Sequence, residues 1–194
     1  MSANTTSSKP IGIVRYGAYL PKYLLSREQI STAWDFPMVP GTIAVGNNDE
    51  DPISMAVEAG IDCLGNIDPK LIDGLFFATT TSPYSEKQSA SIIASVLDLR
   101  MEISTMDITD SIRGLSTALI RAVESIKAGS AHYILVIGAD MQIPIPESMF
   151  EFEYGDGAAA FLIGDTNVVI SVESMISVAD NVTGPWKRAK DPYI

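Results

Sequence analysis

The chain has 194 residues, 46% of them hydrophobic, and a formal net charge of −11 at pH 7. That length suits one domain around a single sizeable core, and the acidic balance disfavours nonspecific attraction to nucleic acid or to an anionic membrane. With one cysteine, Cys63, and one histidine, His132, no internal disulfide and no metal cluster of the usual ligand spacing is expected, and a cytoplasmic setting fits.

Met1 to Ser8 is small and polar without an apolar signal core, so residues 1–10 read as a disordered leader. Ile11 to Tyr16 is a short apolar run that predicts a buried strand, followed by a turn at Tyr19-Leu20-Pro21-Lys22. Ser26 and Gln29 have the spacing of a capping box, with Ile30 and Trp34 as the apolar face of the helix behind it. Residues 36–48 carry prolines and glycines and read as loop. From Pro52 to Leu64, apolar positions at Ile53, Ala56, Val57, Gly60, Ile61 and Leu64 predict an amphipathic helix with Pro52 in its first turn. Cys63 lies on the apolar side of that helix, where a thiol behaves as a small hydrophobe.

A strand is expected over Ile72 to Thr79 and a helix over Glu86 to Leu97. A further strand ends in Met106, and the helix after it has apolar positions at Leu115, Leu119, Ala122, Val123 and Ile126. Tyr133 to Gly138 is continuously apolar, as in a strand buried on both faces. His132, which precedes it, is read as structural. Two more strands are expected over Ala158 to Ile163 and Val168 to Met175, with residues 184–194 as a tail or connection. Alternating strands and helices imply a mostly parallel sheet with helices on both faces. No apolar run is long enough to span a bilayer.

Four motifs carry a resemblance. Met106-Asp107-Ile108-Thr109-Asp110-Ser111-Ile112-Arg113-Gly114-Leu115-Ser116 forms a strand, a polar turn and a helix start. Tyr154-Gly155-Asp156-Gly157-Ala158-Ala159-Ala160-Phe161-Leu162-Ile163 forms a glycine turn that leads into a core strand. Ile11 to Pro21 is an opening strand and turn, and Asp49 to Ala59 an acidic turn before a helix. In this order they resemble the thiolase superfamily, within it the 3-hydroxy-3-methylglutaryl-CoA synthases and ketoacyl-ACP synthase III enzymes. The resemblance implies a thiolase-like layered half-domain, the N-terminal one, over residues 11–183.

The same resemblance implies where the chemistry departs. The family places a cysteine at a helix N-terminus, where orphan N–H groups and the helix dipole stabilise a thiolate; the matching position here is Ile112, which has no nucleophilic atom. A glutamate acts as general acid in the family, and its position is taken by Thr80, which cannot deliver a proton as a carboxylic acid does. No residue of this chain is therefore assigned a catalytic role. Ser111 and Asp110 suit capping of the first helical turn, since no base accompanies Ser111. Asp156 is expected to order its tight turn through backbone hydrogen bonds.

Arg113, beside the tip, either faces an anionic ligand or pairs with Asp110 or Glu124. Lys22 and Arg27 are candidates for the phosphates of coenzyme A. The ligand implied is a coenzyme A thioester, with no covalently bound cofactor and no metal. The family's second half carries the histidine and asparagine, or paired histidines, that work with the cysteine. The implied partners are accordingly a second thiolase-like half or thiolase subunit and a small zinc-ribbon/OB protein, in an oligomer without nucleic acid or membrane. The reading is a non-catalytic synthase-like subunit for acyl-CoA carbon–carbon bond formation or cleavage. The alternatives are a condensing enzyme seen as a truncated or mutated half, and a pure interaction subunit that binds no coenzyme A.

Overall fold

Two apolar strands buried on both faces organise the chain, and every other element is placed relative to them. The computed structural model describes residues 9–109, 111–184, 187–188 and 191–193. The elements are β1 (Gly12–Tyr19), β2 (Tyr23–Ser26), α1 (Arg27–Trp34), β3 (Thr42–Val45), α2 (Pro52–Leu64), β4 (Gly74–Ala78), α3 (Ser89–Val96), β5 (Ser104–Ile108), α4 (Gly114–Lys127), β6 (Tyr133–Asp140), β7 (Gly157–Gly164) and β8 (Ile170–Ser171). Short 3-10 turns lie at Pro69–Leu71 and Met149–Phe152. Residues 1–8 of the expected leader, Asp110, and parts of the expected tail over 184–194 lie outside the described residues.

Among the described residues the main sheet has the order β5-β4-β6-β7-β1-β8, and β2 pairs with β3 in a separate hairpin. Strand β4 runs parallel to β5 and β6, whereas β7 is antiparallel to both β6 and β1, and β8 is antiparallel to β1. Thus β1, β4, β5 and β6 point one way, which bears out the mostly parallel sheet, and β7 and β8 are reversed. Because β7 starts where β6 ends, the long connection between them stays at the C-terminal ends of the parallel strands.

Alternation on β4 and β6 divides the core in two, as the period of two in a strand requires. Leu75, Phe77, Leu135 and Ile137 face α2 and α3, where they meet Met55, Ala56, Ala59, Cys63 and Ile93. Phe76, Ile134 and Val136 face α4, against Ala118, Ala122, Val123 and Ile126. Helices on both faces are therefore present. Gly17 lets α2 come close to β1: a Cβ there would lie 2.3 Å from the Cys63 backbone nitrogen and 2.6 Å from the Ala59 carbonyl oxygen.

The local start signals are partly those expected. Helix α2 begins at Asp51, whose carboxylate accepts from the Ser54 N–H at 2.7 Å while the Ser54 hydroxyl accepts from the Asp51 N–H at 2.9 Å. The capping box expected at Ser26 and Gln29 does not form: the Ser26 hydroxyl donates to the Glu28 carboxylate instead. Helix α1 is tied down by its first residue, Arg27, whose N–H donates to the Gly41 carbonyl at 2.9 Å. The stretch 36–48 holds strand β3, which the flanking Pro40, Gly41 and Gly46 hide in the sequence. The strand expected over Val168 to Met175 pairs only at Ile170–Ser171, while Val172 and Met175 pack against the α4-side core.

Candidate functional site

The parallel register of β4 and β6 sets Ala78 against Gly138, so the residues that follow Ala78 meet those that follow Gly138. Thr79, Thr80 and Thr81 converge there on Asp140. One carboxylate oxygen, Oδ1, accepts from the Thr79 hydroxyl at 3.1 Å, the Thr80 N–H at 2.7 Å and hydroxyl at 3.0 Å, and the Thr81 hydroxyl at 3.0 Å. The Thr80 hydroxyl in turn accepts from Gln142 Nε2 at 2.6 Å. Its one proton and an acceptor position are committed, so Thr80 links Asp140 to Gln142.

The elbow lies beside this cluster. Strand β5 ends at Ile108, and Asp107 turns away from the tip to cap α3, accepting from the Ser89 N–H at 2.6 Å and the Ala90 N–H at 2.7 Å. Gly114 opens α4 with its N–H donating to the Ser111 carbonyl at 2.8 Å. A Cβ at Gly114 would stand 3.2 Å from the Ile108 carbonyl oxygen and 3.4 Å from the Ala78 Cβ, so the glycine allows the helix to press on the strand ends. The N-cap is Arg113, whose side chain makes no capping bond. Ser111 serves the turn, its hydroxyl accepting from the Arg113 N–H at 3.2 Å.

Between these elements is a cavity of about 440 Å³, open to solvent and walled by the ends of β4 and β6, the start of β7, Leu20, and the elbow residues Ser111, Ile112, Gly114 and Leu115. The C-terminal ends of parallel strands are the usual ligand crevice of open α/β sheets. Ile112 stands at its rim, 71% exposed. The opening of the cavity at a helix N-terminus suits a polarised carbonyl oxygen, but Ile112 brings no atom that attacks it.

Asp156 also lines the cavity. It does not order its own turn, as the sequence suggested. Its Oδ2 accepts from the Gly46 N–H at 2.7 Å, and its own N–H donates to the Ala44 carbonyl at 2.9 Å, which joins the glycine turn to the β2–β3 hairpin. Burial pushes its carboxyl above the ordinary carboxylate value against the Gly46 hydrogen bond, and the charge of Glu50 adds to the rise. Among the described residues of the lining, Asp140 and Asp156 are the ionisable side chains, with no Lys, Arg or His.

The cavity does not gather the three cations singled out from the sequence. Arg113 reaches the C-terminal segment, donating to the Ser177 hydroxyl at 2.7 Å and the Val178 carbonyl at 3.3 Å. Glu124 pairs with Arg121 instead, at 2.8 Å. Arg27 donates through Nε to the Phe152 carbonyl at 2.8 Å. Lys22 is exposed in the turn that follows Leu20.

Cys63 is fully buried, and burial pushes its thiol up to about 11, so it is packing and not a nucleophile. His132 lies before β6, at the end of the sheet opposite the cavity, within 3.2 Å of Asp165; an eight-residue strand separates it from the elbow by roughly 25 Å. Asp140 is the site residue that sequence reasoning missed. Its signal was a lone acid closing a continuous apolar strand.

Three comparisons bear on this geometry. Residues 106–178 match the model of the 3-oxoacyl-[acyl-carrier-protein] synthase III family. The chain is 32% identical over 193 residues to a hydroxymethylglutaryl-CoA synthase of Caldivirga maquilingensis, covering 94% of this chain and 55% of that protein. It is 33% identical over 190 residues to one of Thermococcus onnurineus, covering 95% and 54%. It thus spans about half the length of the curated relatives it matches. Among solved structures, 3-oxoacyl-[acyl-carrier-protein] synthase III from Aquifex aeolicus superposes with a TM-score of 0.72 at 25% identity, over 79% of this chain and 53% of that one. MvaS in complex with 3-hydroxy-3-methylglutaryl coenzyme A superposes with a TM-score of 0.75 at 24% identity, over 82% of this chain and 41% of that one.

Proposed function

Because the chain belongs to the thiolase superfamily, as a half of the 3-hydroxy-3-methylglutaryl-CoA synthase and ketoacyl-ACP synthase III kind, we propose that it serves acyl-CoA carbon–carbon bond formation or cleavage without a nucleophile of its own. It holds an acyl-CoA thioester noncovalently at the elbow cavity, and the reacting thiol belongs to a partner. The observation that carries this reading is Ile112 at the cavity rim, at the start of α4. Covalent acyl transfer needs an atom that can attack the thioester carbonyl, and neither Ile112 nor the committed hydroxyl of Thr80 supplies chemistry there.

A partner is supported by the side of the sheet next to α4. Tyr16 on β1 is 72% exposed and Leu20 73%, and such apolar surface beside a cavity marks an interaction site. The occupant proposed is a second thiolase-like half, on a thiolase subunit or on a longer polypeptide, with a small zinc-ribbon/OB protein as a further member of a cytoplasmic complex. Among the described residues no helix is long and apolar enough to cross a membrane. Lys22, two residues beyond Leu20 of the cavity wall, is the cation proposed for the phosphates of coenzyme A.

Isothermal titration of the chain with coenzyme A and acetyl-CoA, alone and with co-purified partners, tests this. Saturable binding of acetyl-CoA is expected, weakened several-fold by Lys22→Ala. Absence of heat under both conditions removes the ligand role and leaves a pure interaction subunit.

A further inference from the structure

The β2–β3 hairpin leaves one strand edge open, and the residues along that edge identify what closes it. We infer that β2 pairs antiparallel with β2 of a second copy of this chain, about a two-fold axis at Leu24. The inference concerns a surface other than the elbow cavity and does not rest on the acyl-CoA reading.

The direction of each backbone group on β2 follows from the register. In an antiparallel pair, residues alternate between those that bond across the pair and those that face away from it. Ala44, opposite Leu24, faces away: its carbonyl accepts from the Asp156 N–H at 2.9 Å, and Gly46, two residues on, donates to Asp156 Oδ2 at 2.7 Å. Arg27 bonds inward, to the Gly41 carbonyl at 2.9 Å, which fixes the same alternation from the other end. Leu24 and Ser26 therefore turn their N–H groups away from β3, and Lys22 continues the pattern. Among the described residues β2 pairs with β3 alone, so this edge has no strand partner.

Open edges are normally blunted by a charge, a proline or a bulge. Tyr23–Ser26 contains none of these, and Tyr23, Leu24 and Leu25 are 52%, 64% and 37% exposed. On β5, an edge strand of the main sheet, the Thr105 carbonyl is instead taken by Gln88 Nε2 at 3.1 Å.

The edge is complementary to its own reversed copy, as a two-fold interface requires. With Leu24 opposite Leu24 of the second copy, Tyr23 lies opposite Leu25, and Lys22 opposite Ser26. Tyr23 and Leu25 share the face that carries Val45 and Ile43 of β3, so an aromatic–aliphatic cross-strand pair forms twice. The Ser26 hydroxyl holds the Glu28 carboxylate, so the Lys22 ammonium of each copy comes beside a carboxylate of the other. This charge match, repeated by the symmetry, favours a second copy over an unrelated extended segment.

Sedimentation velocity of the full chain tests the pairing, without coenzyme A because Lys22 is also the cation proposed for its phosphates. Physiological ionic strength screens the repulsion between two chains of net charge −11. A concentration-dependent equilibrium between monomer and dimer is expected. Leu24→Lys sets two ammonium groups against each other at the axis and is expected to weaken the dimer about tenfold or more. Amide exchange in the unmodified chain gives a readout that needs no variant. The Leu24 and Ser26 N–H groups are expected to gain protection as the dimer forms, and those of Tyr23 and Leu25, bonded to β3 in both states, to stay as they are. A monomer at every concentration overturns the inference. So does a dimer that Leu24→Lys leaves intact, or one in which the Leu24 N–H gains no protection.

Discussion

The two faces of β1 differ sharply in how they are covered. Gly17 lies against α2 with no room for a methyl group, opposite Ala160, which is fully buried. Tyr16, the residue before it, pairs with Phe161 on the other face and is 72% exposed. One side of the sheet is closed by its own helices. The other is covered by α4 over β4, β5, β6 and β7, and beyond them, at β1, its exposed part adjoins the cavity. Packing that the chain completes by itself specifies the fold, and the incomplete side is where function is to be sought.

Substitutions on the two faces should separate accordingly. Gly17→Leu is expected to cost more than about 4 kcal/mol, because backbone atoms of α2 stand where its side chain must go; urea denaturation should find the variant largely unfolded. Asp107→Ala leaves two N–H groups at the start of α3 without their acceptor and should cost about 1–3 kcal/mol, with amide exchange rising first in α3. Tyr16→Ala, on the open face, should stay within about 0.5 kcal/mol of the parent. A loss from Tyr16→Ala comparable with that from Gly17→Leu would contradict the division between the faces.

Asp156 gives a smaller effect with a definite sign. Its carboxyl is raised in the folded chain, chiefly by burial, so the folded state binds its proton more tightly than the unfolded state does. Stability from this group is full below the ordinary carboxylate value and is lost as pH rises through the raised one. Asp156→Asn lacks that loss, so thermal melts should show the variant gaining on the parent between acid and neutral pH. A parent that gains on the variant over that range would contradict the buried environment assigned to Asp156.

What could be read in advance followed the range of the interactions. Strands β4 and β6 were visible because continuous apolar runs are a local signal, and α2 because its apolar spacing and Pro52 lie within one segment. Strand β3 was not, since four residues between proline and glycine look like loop until β2 pairs with them. Asp140 was missed for a stronger reason: its partners at Thr79 to Thr81 lie about sixty residues earlier, and only the parallel register of two strands brings them together. Asp107 matched a motif, but its use as a cap for α3 depends on a helix that starts eighteen residues before it. The position of Ile112 at the elbow was legible from Gly114 and the helix behind it; the cavity whose rim it occupies was not.

On the proposed reading this chain takes no acyl group onto itself. Incubation with acetyl-CoA, followed by mass spectrometry of the peptide that spans residues 106–117, measures that directly. The unmodified peptide alone is expected, from the parent chain with or without co-purified partners. An acetyl group on Ser111 or elsewhere in that peptide, formed in proportion to acetyl-CoA and removed by hydroxylamine, would contradict it.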